Sequence, residues 1–152
     1  MITLRVKLVH PAARLPERMT PGSAGLDLYA VESMEVPPTR CDQDGCADVG
    51  RVLVPTGVIL QLPPETVGRI ASRSGLSVNS NIEAGAGWID NDYRGELKVE
   101  LKNLSSKPYK VQQGDRIAQL VILPLVDVEV QSVSRLEDTE RGSSGFGSTD
   151  SG

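Results

Sequence analysis

Short apolar–polar alternations, broken at intervals by glycine or proline, run through this chain. Met1-Ile2-Thr3-Leu4-Arg5-Val6-Lys7 already alternates. Leu97, Val99 and Leu101 alternate with Lys98, Glu100 and Lys102, which is the period of a half-buried strand. Val52-Leu53-Val54 and then Val58-Ile59-Leu60-Gln61-Leu62, the second stopped by Pro63-Pro64, predict two successive strands. Ile117 to Leu123 is a near-continuous apolar run, short enough for a buried strand, and Val126, Val128 and Val130 alternate after it. Only residues 75–80 leave room for a short helix. With no long 3.6-residue period and no internal repeat, the pattern predicts an all-β sandwich or barrel.

Composition narrows this picture. A length of 152 residues suits one core, and aromatic residues at 3% make that core aliphatic. The formal charge of -4 gives no support for nucleic-acid binding. No apolar run reaches the roughly 18 residues needed to span a membrane. The start lacks the long apolar core of a signal peptide. The expectation is a soluble intracellular protein, with nucleus and cytoplasm both open. Cys41 and Cys46 are the only cysteines and His10 the only histidine. A closed zinc site takes four such ligands, so the cysteines read as reduced surface thiols, with a local disulfide open to oxidation. A single histidine also argues against Ser-His-Asp or Cys-His catalysis.

Five glycine-bearing polar segments interrupt the strands, at residues 22–30, 71–78, 85–95, 114–120 and 141–148. Gly85-Ala86-Gly87-Trp88-Ile89-Asp90-Asn91-Asp92-Tyr93-Arg94-Gly95 reads as strand, acidic turn, strand. It is either an ordinary β-turn or a hairpin on which Gly85 and Gly87 leave room for a ligand against bare backbone. In Ser72-Arg73-Ser74-Gly75-Leu76-Ser77, amides at a helix start together with Arg73 would attract an anion. The alternative is a plain helix cap by Ser74. Gly114-Asp115-Arg116-Ile117-Ala118-Gln119-Leu120 reads as a turn into a buried strand, with a structural Asp-Arg pair and Gln119 at an edge. The last segment has the composition of a flexible tail. Even so, Arg141 and Phe146, the only phenylalanine, would suit a mobile arm closing over a ligand.

Taken together and in this order, the segments resemble the dUTPase family, the homotrimeric dUTP pyrophosphatases. Ala24-Gly25-Leu26-Asp27-Leu28-Tyr29 is similar to the first family motif, Arg73-Ser74-Gly75-Leu76 to the second and Gly87 to Gly95 to the third. Gly114 to Leu120 is similar to the fourth and Arg141 to Thr149 to the fifth. The resemblance implies a β jelly roll over residues 1–134 and a flexible C-terminal arm over 135–152, assembled as a trimer with that arm swapped. Each active site would take its first, second and fourth motifs from one subunit, the third from a neighbour and the fifth from the remaining one. The implied reaction is dUTP plus water giving dUMP and pyrophosphate with Mg²⁺, which keeps uracil out of DNA and supplies dUMP for dTMP synthesis.

The same resemblance assigns roles. Asp90 is the general base for water attacking the α-phosphorus. Arg73, Ser74, Gly75, Gln119, Arg141, Gly147 and Ser148 bind phosphates, and Asp27 places the metal through water while the substrate phosphates supply the other ligands. Gly87, Trp88, Ile89, Asp90 and Lys98 surround base and sugar, Tyr93 packs under the deoxyribose, and Phe146 stacks over the base. Three departures from the family pattern stand out. Residues 41–51 look like an inserted exposed loop. Trp88 replaces a smaller residue, with an effect on hairpin packing or base access. Ser72 stands where many members carry proline, which would loosen the approach to Arg73. The alternatives are a dCTP deaminase on the same fold and a non-catalytic, nucleotide-gated regulatory binding protein.

Overall fold

The computed structural model describes residues 2–45, 47–140 and 142–143. Twelve strands and one short helix follow in chain order: β1 (Arg5–Leu8), β2 (Leu26–Tyr29), β3 (Met34–Val36), β4 (Arg40–Cys41), β5 (Ala47–Asp48), β6 (Gly50–Gln61), β7 (Thr66–Ala71), α1 (Ser74–Ser80), β8 (Ile82–Gly85), β9 (Trp88–Ile89), β10 (Glu96–Asn103), β11 (Tyr109–Val111) and β12 (Arg116–Pro124). Every pairing is antiparallel. One four-stranded sheet has the order β1-β6-β10-β8 and the other β2-β12-β7-β9, with small ribbons β11-β3 and β4-β5 at the margins. This is an all-β jelly roll.

The alternation that predicts β10 is obeyed: Leu97, Val99 and Leu101 point inward, and Asn103 ends the row. They meet Val54, Val58 and Leu60 from β6, Ile70 from β7, and Ile117 and Leu120 from β12. Burying each such aliphatic side chain stabilises the fold by about 1.5–3 kcal/mol. The buried amide of Asn103 is fully used. Its Nδ2 donates to Val36 O (3.2 Å) and Lys107 O (2.7 Å), and its Oδ1 accepts from the Ser105 amide (2.9 Å) and hydroxyl (2.8 Å). Such an interior amide ties β10 to the β3 corner without leaving a polar atom unpaired.

Two strand expectations are corrected. Residues 52–54 and 58–62 do not form successive strands; they are parts of the continuous β6, which ends at Gln61. Pro55 and Gly57 make a bulge between them, with Gly57 at φ +65° and the β6–β10 register shifting between Glu96 and Lys98. A bulge bends a strand without ending it. After β12, the alternation of Val126, Val128 and Val130 builds no strand in this chain. These residues are 77%, 70% and 91% exposed and follow β12, which ends at Pro124. Within residues 41–51, Cys41 ends β4, Ala47–Asp48 form its exposed partner β5, and Gly50 and Arg51 open β6; Cys41 is at the surface, and Cys46 lies outside the described residues. Among the described residues, no helix is long and apolar enough to cross a membrane.

Candidate active site

Two groups of side chains form at the ends of these strands. The first gathers around Asp27 on β2. Its carboxylate, only 12% exposed, accepts from Arg116 on β12 (3.1 Å) and lies 3.7 Å from the Arg73 guanidinium. A second nitrogen of Arg73 donates to Arg116 O (2.8 Å). Arg116 therefore pairs with Asp27, while the Asp115 carboxylate accepts from the Gln112 amide (2.8 Å) and braces the turn. Gln119 sits opposite Asp27 in the β2–β12 ladder, and its Nε2 donates to Ser72 O (3.0 Å). A Cβ at residue 25 would come within 2.8 Å of the Gln119 side chain, so Gly25 is the residue that admits it. At the other end of β2, the Tyr29 hydroxyl donates to Glu17 while the Arg14 guanidinium covers its ring at 4.0 Å. Burial, and then the bond to Glu17, raise the Tyr29 phenol above its ordinary range.

Helix α1 begins directly after Arg73. Its N-cap is Arg73, with no side-chain cap bond, so Ser74 does not cap it. The amides of Leu76 and Ser77 both donate to Arg73 O (3.0 Å each). Those of Ser74 and Gly75, at the very start, have no intrahelical acceptor and are suited to an anion. Ser72, at the position expected to loosen this approach, is bonded to its neighbours. Its Oγ donates to Glu83 Oε2 (2.5 Å) and accepts from the Ala84 amide (2.8 Å). Hydrogen bonds from Ser72 and Ser77 hold the Glu83 carboxyl below the usual carboxylate range.

The second group is the hairpin from β8 to β10. Trp88, Ile89, Asp90, Tyr93 and Lys98 line one cleft of about 520 Å³ together with Leu53, Ala86, Glu96 and Leu97. Asp90 is exposed, and among the described residues no hydrogen bond or ion pair engages its carboxylate. Its carbonyl accepts from the Tyr93 amide (3.1 Å), closing the turn. Asn91 pins that turn to the domain by donating to Pro63 O (2.6 Å) and Thr66 O (3.0 Å). The Tyr93 hydroxyl donates to Glu96 O (3.2 Å), and its ring folds over Gly95, where a Cβ would meet the hydroxyl at 2.2 Å. Trp88 is 61% exposed, and its indole lies against the Arg69 guanidinium (5.0 Å) at the cleft wall.

At Gly85 and Gly87 the missing side chain makes room for the protein's own neighbours. A Cβ at Gly87 would lie 2.4 Å from Ile70 O, and one at Gly85 would lie 2.1 Å from the Glu100 carboxylate. At Gly87 that neighbour is the β7 backbone, whose Ile70 amide donates to Gly87 O (2.7 Å), and at Gly85 it is the end of the Glu100 side chain. The hairpin side chains and the Asp27–Arg73–Gln119 group share no hydrogen bond or ion pair among the described residues. Arg141, Phe146, Gly147 and Ser148 lie outside the described residues. Sequence reasoning missed Glu83, Arg69, Asn91 and Glu96. The placement of Glu83 directly before the glycine-rich hairpin was the only available signal, and it says nothing of partners.

Guanidinium groups and unbonded helix amides in one group, and in the other an aspartate with no partner among the described residues, suit the chemistry of a phosphorylated ligand. Comparison with known proteins narrows the class. The dUTPase family model matches residues 12–150. The deoxyuridine 5'-triphosphate nucleotidohydrolase of Paramecium bursaria Chlorella virus 1 is 44% identical over 149 residues, covering 98% of this chain and 99% of that protein. Its counterpart in Candida albicans is 42% identical over 149 residues, covering 97% and 87%. A Staphylococcus bacteriophage 80alpha dUTPase mutant solved with dUpNHpp superposes with a TM-score of 0.84 at 30% identity, covering 97% of this chain and 98% of that one. A dUTPase mutant from phage phi11 of S. aureus, described with a structural Mg(II) ion, superposes at 0.77 with 27% identity, covering 90% and 99%. The chain belongs to the dUTPase family.

Proposed function

We infer that this protein is a dUTP diphosphatase, hydrolysing dUTP to dUMP and pyrophosphate. The observation that carries the chemistry is the exposed Asp90 carboxylate, free of any partner among the described residues and set in the same cleft as Tyr93 and Lys98. Asp90 orients a water molecule and takes its proton as the oxygen attacks the α-phosphorus. The bond from that phosphorus to the bridging oxygen breaks, and both outer phosphates leave as pyrophosphate. Arg73 and the Ser74 and Gly75 amides stabilise the charge that develops on the phosphate oxygens, and Gln119 adds a polar contact. Arg141, Gly147 and Ser148 complete the phosphate shell from the arm, residues 135–152.

Backbone groups beside Gly87 and at Lys98 read the uracil edge, flanked by Trp88 and Ile89. Cytosine reverses donor and acceptor there, and each group left unpaired costs about 1–3 kcal/mol. Tyr93 packs under the deoxyribose and leaves no room for a 2′-hydroxyl, and Phe146 closes over the base. Asp27 offers hard carboxylate oxygens beside Arg73 and Arg116. That chemistry suits Mg²⁺ reached from Asp27 through water, with the substrate phosphates as its direct ligands. When bound, Mg²⁺ neutralises phosphate charge.

The separation of the two side-chain groups within one chain supports a homotrimer whose sites are shared between subunits. So does the exposed apolar stretch beyond β12, with Leu125, Val126, Val128, Val130, Val133 and Leu136 all at the surface. A nucleotide substrate supports an intracellular setting. Hydrolysis in ¹⁸O-water tests the reaction: the label is expected in dUMP, and label in pyrophosphate would contradict attack at the α-phosphorus.

A further inference from the structure

Helix α1 is hard to account for from its own residues. It has seven residues, no side-chain N-cap and no buried residue, although Leu76 packs partly against the core. Isolated helices shorter than about 12–15 residues are marginal even with good sequences, so what holds α1 and the Arg73 turn must come from outside. The C-terminal end is held by Asn81 in the left-handed conformation, whose carbonyl accepts from the Leu104 amide (2.9 Å). At the end that carries Arg73, one carboxylate bridges the chain on either side of the arginine. Glu83 on β8 accepts from the Ser72 hydroxyl, one residue before Arg73, and from the Ser77 hydroxyl, one turn inside the helix. Lys102, opposite Glu83 in the β8–β10 ladder, lies against Glu100 instead (3.7 Å), which leaves Glu83 to the two serines.

We propose that Glu83, acting through Ser72 and Ser77, is a positioning residue that fixes Arg73 and the first amides of α1 for phosphate transfer. The proposal rests on the reading of Arg73 as a phosphate ligand. The carboxylate grips the chain on both sides of the arginine, and Gln119 holds the Ser72 carbonyl from β12, so the turn cannot slide along the strand. Charge stabilisation in the transition state depends on such placement more than ground-state binding does, because uracil and sugar are bound by the separate hairpin.

The test is a set of kcat and KM measurements with dUTP. Glu83→Ala and Ser72→Ala are expected to lower kcat by about tenfold to a hundredfold with KM changed by less than about threefold. Ser72→Thr, which keeps the hydroxyl, is expected to retain kcat within about twofold. In an Arg73→Ala background, Glu83→Ala is expected to cost much less than in the intact enzyme, because only the helix amides are left for it to position. An equal added loss in that background would overturn the proposal, as would an unimpaired Glu83→Ala beside a crippled Arg73→Ala. Full activity of Arg73→Ala alone would instead remove the phosphate-ligand reading and the proposal with it. Should Glu83→Ala not fold, Ser72→Ala carries the same comparison.

Discussion

Replacing Asp90 by alanine is expected to lower kcat for dUTP by about a thousandfold, within the range set by loss of a general base. Binding and assembly should survive. The carboxylate is exposed and engages no partner among the described residues, so its removal strands no donor and empties no core position. The turn that carries it is held by other groups: the Asp90 carbonyl accepts from the Tyr93 amide, and Asn91 donates to Pro63 and Thr66. Trp88, the only tryptophan, lies in the same cleft, and its fluorescence gives a direct readout of nucleotide binding. A loss of kcat with the fluorescence titration unchanged is the expected pair of results. Undiminished turnover would remove Asp90 from the mechanism.

Asp27→Asn is expected to damage both stability and catalysis. The substitution keeps the shape of the side chain and deletes the charge that faces Arg73 and Arg116. Two guanidinium groups would then face each other across a largely buried amide. The arginines are 25% and 39% exposed, and water relieves part of that repulsion, so the loss is about 2 kcal/mol, below the range for a fully buried pair. Arg73 would also lose one of its anchors, and kcat is expected to fall on the order of a hundredfold. Urea unfolding and steady-state kinetics on the same variant check the two effects together. Unchanged stability would mean that the ion pairs contribute nothing to holding β2 against β12.

Part of the grouping of these side chains was readable before any coordinates, because the residues lie in short contiguous segments. Asp90, Tyr93 and Lys98 do share one cleft, and Arg73 does precede a short helix. What periodicity cannot report is which distant strand lies alongside. The pair Arg116–Asp27 joins residues 89 apart, so the sequence offered the neighbouring Asp115 as the partner. Residues 52–54 and 58–62 read as two strands because a bulge built on Pro55 and Gly57, with Gly57 at positive φ, leaves the same residue signature as a turn. Gly87 looked like a space for ligand, but only the β7 backbone at Ile70 shows what fills it. Ser72 looked like a missing proline, and its value came from a glutamate on another strand.

The measurement that tests the central claim most directly is pyrophosphate release with Mg²⁺ from dUTP, dCTP, dTTP and UTP, side by side. The account predicts turnover confined to dUTP: the hairpin backbone rejects cytosine and the thymine methyl, and Tyr93 excludes ribose. Comparable release from UTP or dCTP would contradict it.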